Sequence, residues 1–135
     1  MHLSWDKELE TGSERIDTQH RELFKRVNML LDAIHNGKGK KEVFWTLEFL
    51  STYVILHFYD EEALMIEYTY NGFETHRREH IQFKKEYHML EKMFQDTGIT
   101  RDLLFQTQQR ICDWLKNHIQ EEDKKLAHFI RNIDI

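Results

Sequence analysis

The stretch HFYDEEALMIEYTYNGFETHRREH, residues 57–80, contains two helical segments that meet at an Asn-Gly turn. The first segment places His57 and Glu61 four residues apart, and the second does the same with His76 and His80. Residues four apart lie about 40° from each other on a helix, so each pair shares one face. Because a buried imidazole or carboxylate without a partner costs several kcal/mol, the repeated pairs predict a shared ion.

Apolar residues at three-and-four spacing continue on both sides of this stretch and predict amphipathic helices along the whole chain. The sequence has no proline, and its five glycines fall between the periodic segments. Four helices with short loops predict one all-α domain over residues 1–135, an antiparallel up-down four-helix bundle. We expect an N-terminal arm over residues 1–15 and helices at about 17–36, 41–70, 74–96 and 100–133.

Single residues mark some of the expected boundaries. Gly98 is placed to end the third helix as a C-cap, and Thr100 is placed to begin the fourth as an N-cap. The arm shows no clear period, so Trp5 is interpreted as an anchor that packs the arm against the bundle. Cys112, the only cysteine, excludes an internal disulfide and a multi-cysteine zinc site, and is interpreted as a small apolar core residue.

Composition narrows the class of protein. The chain has 135 residues, the size of one domain, with 24 acidic and 19 basic side chains and a formal net charge of -5. The basic residues are scattered, which argues against a nucleic-acid partner. No apolar run reaches about 18 residues and no signal-peptide pattern opens the chain, so we expect a cytoplasmic protein without a membrane segment. No exposed apolar patch is expected to serve as an interface.

His20 is a third candidate ligand position. It lies one turn from Ile16 and one turn from Phe24, which predicts that it points inward. By itself it would be interpreted as a satisfied core histidine, and the other inward histidines favour a metal ligand instead. The His76 pair is not the zinc-protease motif, because Arg77 stands where that motif needs a glutamate.

The fourth helix offers His118 and one of two acids. Periodicity nominates Glu122, which is one turn beyond His118. Asp123 has apolar neighbours such as Leu126 on its own face, whereas Glu122 borders Lys125. These neighbours modestly favour Asp123, but spacing alone does not decide between the two acids.

Taken together, these segments resemble the hemerythrin family, specifically bacterial hemerythrin-like domains, from Trp5 to about Phe129. The resemblance rests on an ordered set: the segment Ile16-Asp-Thr-Gln-His20, a His-x3-Glu, a His-x3-His and a His-x4-Asp. It implies that the acid of the fourth helix is Asp123 and that the protein holds two non-haem iron ions. The implied ligands are His76, His80 and His118 on one iron, His20 and His57 on the other, and Glu61 and Asp123 as bridges.

The implied ligand set predicts a function. At about six positions per iron, five histidines, two bridging carboxylates and a bridging oxo or hydroxo group leave about one position open, on the iron with two histidines. The resemblance therefore implies reversible dioxygen binding for transport, storage or delivery. Ferritin-like oxidases use carboxylate-rich sites, whereas this set is mostly neutral imidazole, so we expect binding rather than oxygen activation, and no enzyme.

Residues around the open position can also be nominated. Helical geometry places Leu115 and Ile119 beside His118 on the side toward Asp123, so we expect them to line the oxygen pocket. An apolar lining would exclude water and protons that otherwise promote autoxidation. Tyr53, one turn before His57, is a candidate to orient that histidine, although a plain core aromatic is the commoner interpretation.

Three alternatives stay open. The chain could be an oxygen- or redox-sensing domain of a signalling protein, although it starts with Met and contains no output domain, which favours a stand-alone carrier. A di-iron peroxidase or oxidase would need an acid or base near the open position, where Leu115 and Ile119 are apolar. A structural bundle that binds zinc adventitiously would require seven ordered coincidences and costly unpaired ligands.

Overall fold

The computed structural model describes residues 3–133 and contains four long helical rods. Loops of three to five residues join consecutive rods, which makes an antiparallel up-down four-helix bundle and confirms the predicted fold class. The first three rods are α1 (Glu14–His35), α2 (Lys40–Glu67) and α3 (Phe73–Thr97). The fourth, α4, has five consecutive segments: Arg101–Thr107, Gln108–Asp113, Trp114–His118, Ile119–Asp123 and Lys124–Ile133. The second and fourth segments of α4 are π-helical.

The ends of the helices follow from local capping. Gly98 has φ 72° and its N–H donates to the Phe94 carbonyl at 2.8 Å, so it ends α3 as the sequence predicted. The Thr100 hydroxyl accepts from the Leu103 N–H at 3.0 Å, which confirms it as the N-cap of α4. At α1 the Ser13 side chain caps the helix, which therefore begins at residue 14, before the expected start near residue 17.

The N-terminal arm is tied to α1 by its backbone. Leu3 donates to and accepts from the Asn28 side-chain amide at 2.7 and 3.0 Å, and Trp5 makes an edge contact with Phe24 at 5.2 Å between ring centroids. Trp5 is therefore the anchor that the sequence predicted. The arm also contains a short 3-10 turn, Lys7–Leu9, which the sequence pattern did not reveal.

The four helices bury one main apolar cluster, and α2 differs from the others. Its inner face contributes buried residues to this cluster, but its outer face also carries large apolar side chains. These residues look scattered in the sequence but align along the outside of one helix, so the outer face of α2 carries an apolar patch that the sequence pattern did not reveal. The exposed residues are Phe44, Trp45, Phe49, Ile55, Leu56, Tyr59 and Ile66.

Two expectations from composition concern Cys112 and membrane crossing. Cys112 is buried in the main cluster, and burial raises the pKa of its thiol to about 11, as expected for an unreactive core residue. Within residues 3–133, no helix has both the length and the apolar character that crossing a membrane requires.

Candidate metal centre

The structure brings all seven predicted ligands together in the middle of the bundle. Each is at most 3% exposed, and every helix contributes at least one. Their donor atoms form two groups, each within a span of 4.8 Å, that share both carboxylates. One group is His76, His80, His118, Glu61 and Asp123, and the other is His20, His57, Glu61 and Asp123.

The Glu61 carboxylate spans the two groups with one oxygen in each. Its Oε1 lies 3.1 Å from His80 Nε2 and 3.3 Å from His76 Nε2. Its Oε2 lies 3.3 Å from His57 Nε2 and 3.7 Å from His20 Nε2. Glu61, which lies on α2, therefore faces three histidines of other helices and one histidine of its own helix.

The Asp123 carboxylate spans the groups from the opposite helix. Its Oδ1 lies 2.9 Å from His76 Nε2 and 3.1 Å from His118 Nε2. Its Oδ2 lies 2.8 Å from His20 Nε2. Two carboxylates thus connect a three-histidine group to a two-histidine group.

These distances fit a pair of transition-metal ions. Ligands about 2.1 Å from an ion and at right angles to each other are about 3.0 Å apart. His118 Nε2 and His76 Nε2 are 3.1 Å apart, close to that spacing. Among the described residues, buried atoms without a hydrogen bond include His20 Nε2, Glu61 Oε2 and both Asp123 oxygens. Buried polar atoms are rarely left unpaired, so this donor set fits bound cations.

The electrostatics of these side chains show how strongly the site attracts positive charge. Burial opposes protonation of His20, His76 and His118, but Asp123 and the other acids outweigh it and raise their pKa values to about 9, 10 and 9. Burial acts to raise the pKa of Glu61 and of Asp123, yet the surrounding histidines hold both well below their ordinary values. Both acids therefore stay ionised in the core, ready to bind a cation.

The backbone of α4 decides which acid enters the site. On an ordinary α-helix a residue five positions beyond His118 would point about 140° away. Ile119–Asp123 is π-helical instead, and the Lys124 N–H donates to the Ile119 carbonyl five residues back. This extra residue in the turn brings Asp123 back to the face of His118. Glu122 is excluded from both ligand groups and lies 3.9 Å from Lys125 Nζ.

Three of the histidines use their second ring nitrogen to contact a residue outside the two ligand groups, here called an outer partner. His57 Nδ1 lies 2.6 Å from Gln19 Oε1, His80 Nδ1 lies 2.9 Å from Glu62 Oε2, and His118 Nδ1 lies 2.7 Å from Glu79 Oε1. The sequence pattern did not predict these three partners. The available signal was position: each partner directly adjoins a ligand of its own helix, but it contacts a ligand of a neighbouring helix.

Aromatic rings also fix the histidines. The Phe58 ring stacks on His80 at 3.8 Å between centroids, and the Trp114 ring stacks on His118 at 4.4 Å. Tyr53, the candidate to orient His57, lies under the Arg26 guanidinium at 4.4 Å and packs against the main apolar cluster. Tyr53 is therefore a half-buried aromatic that packs against the core, and Gln19 rather than Tyr53 contacts His57.

Leu115 and Ile119 flank His118 on α4 and are 4% and 0% exposed. Both belong to the main apolar cluster, so the wall of the site on this side is apolar. Their role as the lining of an oxygen pocket stays a prediction.

Replacing Glu79 with alanine is expected to weaken metal binding about 10- to 100-fold, the usual effect of losing a partner that orients a metal-bound histidine. Glu79 also makes His118 more basic, since His118 in turn lowers the pKa of the Glu79 carboxyl. Isothermal titration of the metal-free protein with Fe(II) under anaerobic conditions measures the change. Glu74→Ala, at an exposed position on the same helix, is the matched control. Equal affinities for the two variants would contradict the orienting role.

Comparison with known proteins agrees with this geometry. Residues 11–130 match the hemerythrin HHE cation binding domain. The chain is 31% identical to a bacteriohemerythrin of Pseudomonas paraeruginosa over 134 residues, covering 97% of this chain and 83% of the relative. It is 34% identical to one of Methylococcus capsulatus, covering 80% of each. A crystal structure of a hemerythrin leucine-to-tyrosine mutant superimposes with a TM-score of 0.82 at 30% identity, covering 95% of this chain and 97% of that one. The chain belongs to the hemerythrin family.

Proposed function

We propose that this protein binds dioxygen reversibly at a di-iron centre and serves as an oxygen carrier or store. The observation that carries the proposal is the unequal division of the histidines, three in one group and two in the other, with Glu61 and Asp123 spanning both. Two irons held in this way would supply the electrons that reversible dioxygen binding requires. The group of His20 and His57 has one histidine fewer, so it is where an external ligand fits.

The outer partners support the same assignment. In the three-histidine group, His80 and His118 each contact a carboxylate, which increases the electron donation of the imidazole. In the two-histidine group, His57 contacts the neutral amide of Gln19. The three-histidine end of the site therefore has more ligands and stronger donors, and the two-histidine end has fewer and weaker donors. This asymmetry favours exchange of a small ligand at the two-histidine end.

The surroundings of the site favour binding over further chemistry. Ile119 is fully buried next to His118, and Trp5 lies 6.4 Å from the His20 ring. Apolar walls exclude water and keep protons from reaching a reduced centre. Leu115 and Ile119 also offer no acid or base for a peroxidase or oxidase step. We therefore rank reversible binding above an enzymatic role.

An optical experiment tests the proposal. The iron-loaded protein is reduced anaerobically, exposed to air and then purged with inert gas while its ultraviolet and visible spectrum is recorded. We expect about two irons per chain, and a visible absorption band that appears with air and disappears on purging. His88→Ala, at an exposed histidine, is the control and should behave like the wild type. An irreversible change of the spectrum on the first exposure to air would overturn reversible binding. If cells grown with added iron yield a purified protein that contains no iron, the proposed di-iron cofactor would be overturned.

Replacing Ile119 with glutamate is expected to increase the autoxidation rate at least about tenfold, because a carboxylate brings water and protons to a part of the site that is otherwise apolar. The measurement is the loss of the oxygenated spectrum with time at fixed temperature. Ile119→Leu keeps the wall apolar and is the matched control. An unchanged rate in the glutamate variant, with iron content preserved, would count against the lining role of Ile119.

A further inference from the structure

The outer face of α2 carries a regular apolar line, here called the seam. Its members are spaced alternately four and three residues apart, all are exposed, and none is charged. This spacing is the 3.5-residue repeat with which one helix packs along another. The residues of α2 that enter the core lie on the opposite side of the same helix. The seam consists of Trp45, Phe49, Thr52, Leu56, Tyr59, Ala63 and Ile66.

The two halves of the seam have different shapes. The N-terminal half borders a groove of about 580 Å³ that includes Trp45, Phe49, Thr52 and Leu56 in its lining. Arg26 fixes one wall, because its guanidinium lies 3.7 Å from the Phe49 ring centroid and donates to the Phe49 carbonyl at 2.9 Å.

The C-terminal half of the seam instead projects large side chains. Tyr59 is 75% exposed and Ile66 is 66% exposed, the two highest values among the exposed large apolar residues. One helix therefore carries a groove at one end and projecting side chains at the other. A second copy in antiparallel orientation places each projection against a groove, which is the condition for an isologous two-fold contact.

Side-chain sizes select the antiparallel arrangement. With Leu56 on the two-fold axis, Trp45 faces Ile66 of the second copy, Phe49 faces Ala63 and Thr52 faces Tyr59. A bulky residue thus meets a smaller one at each of these layers, as close packing requires. A parallel arrangement would set Trp45 against Trp45, where the two large rings clash, and Ala63 against Ala63, where the two small side chains leave a gap.

The charges at the ends of α2 agree with this orientation. Lys40 and Lys41 are exposed at its N-terminal end, and Glu67 is exposed at its C-terminal end. Antiparallel packing brings Lys41 within about one turn of Glu67 of the second copy, whereas parallel packing pairs like charges. Glu62, a further acid near this end, is turned toward His80 at 2.9 Å and is only 24% exposed.

The exposed area is sufficient for a stable contact. The five large apolar members of the seam are 44–75% exposed. At about 200 Å² for each fully exposed side chain they present roughly 600 Å², so two copies would bury about 1,200 Å², the lower end of the range for specific interfaces. We propose that the protein forms a two-fold symmetric dimer through antiparallel packing of the α2 seams of two copies. This contact is independent of the metal centre on the other face of α2.

Sedimentation velocity over a concentration series tests the dimer. We expect the wild-type chain to dimerise with a dissociation constant of about 50 μM or tighter. Trp45→Glu should raise that constant at least about 30-fold, because it replaces a large aromatic contact with a charge at both ends of the two-fold contact. Ile66→Glu removes the facing residue and should act similarly. Phe105→Glu, at a 54% exposed phenylalanine of α4, is the control and should dimerise normally. Circular dichroism checks that each variant is folded.

A wild type that stays monomeric at about 500 μM would overturn the proposal, and so would equal weakening by Phe105→Glu and Trp45→Glu. Orientation is tested by mixing Thr52→Cys and Tyr59→Cys proteins under mild oxidation. Cross-links between the unlike variants are expected, since these positions face each other in the antiparallel dimer. Cross-links within the Thr52→Cys protein alone would show a parallel contact and overturn the arrangement.

Discussion

Replacing Asp123 with alanine is expected to lower the bound iron from about two to fewer than about 0.5 ions per chain. The carboxylate supplies one oxygen to each ligand group, at 2.9 Å from His76 and 2.8 Å from His20. Its loss therefore removes a donor from both ligand groups at once. It also leaves the histidines around it without the charge that attracts a cation.

Glu122→Ala is the matched control for this prediction. Glu122 adjoins Asp123 and lies where ordinary α-helical periodicity would place the ligand, yet it belongs to neither ligand group. Its variant should retain about two irons per chain. Iron analysis of the two purified proteins, together with their helicity, makes the comparison. Iron loss in the Glu122 variant and not in the Asp123 variant would show that the π-helical segment does not set the ligand.

Removal of the iron is expected to lower the melting temperature by at least about 15 °C, which corresponds to about 5 kcal/mol for a chain of this size. The metal binds the folded state, because only folding gathers seven donors from four helices. Calorimetry of the reduced protein before and after anaerobic chelation measures the shift. The Asp123→Ala protein, treated with the same chelator, should show almost no change. Equal melting temperatures for loaded and metal-free wild type would contradict a structural contribution of the metal.

The size of this shift should depend on pH. In the metal-free protein His20, His76 and His118 have pKa values raised to about 9, 10 and 9 from 6.5. Protonation of these histidines therefore stabilises the folded metal-free protein fully below about pH 6.5, and this stabilisation is lost as the pH rises through 9 to 10. Metal binding needs neutral imidazoles, so its contribution grows over the same range. The gap between the loaded and metal-free melting temperatures should be wider at pH 9 than at pH 6, and a narrowing gap would contradict the raised pKa values.

Much of this protein follows from one-dimensional patterns. The three-and-four spacing of apolar residues predicts four helices because each helix must bury a single stripe. Pairs such as His57 and Glu61 or His76 and His80 could be recognised because residues one turn apart share a face. Gly98 and Thr100 marked helix ends because capping is a local interaction.

Other features depend on how the helices are placed against each other. Gln19, Glu62 and Glu79 each contact a histidine of a neighbouring helix, and the relative rotation of two helices is not written in either sequence alone. The outer seam of α2 could not be separated from its core face, since both consist of apolar residues on the same helix.

The sequence by itself determined the four-helix bundle and the inward position of the histidines, because local periodicity and burial fix both. Spacing left Glu122 and Asp123 unresolved, the apolar neighbours of Asp123 modestly favoured it, and the resemblance to a known family implied it. The tertiary structure decided the choice through the π-helical turn at Ile119–Asp123. The physical reason is that an added residue in a helical turn is costly locally and is retained only where contacts across the bundle, here from His20 and His76 to Asp123, stabilise it.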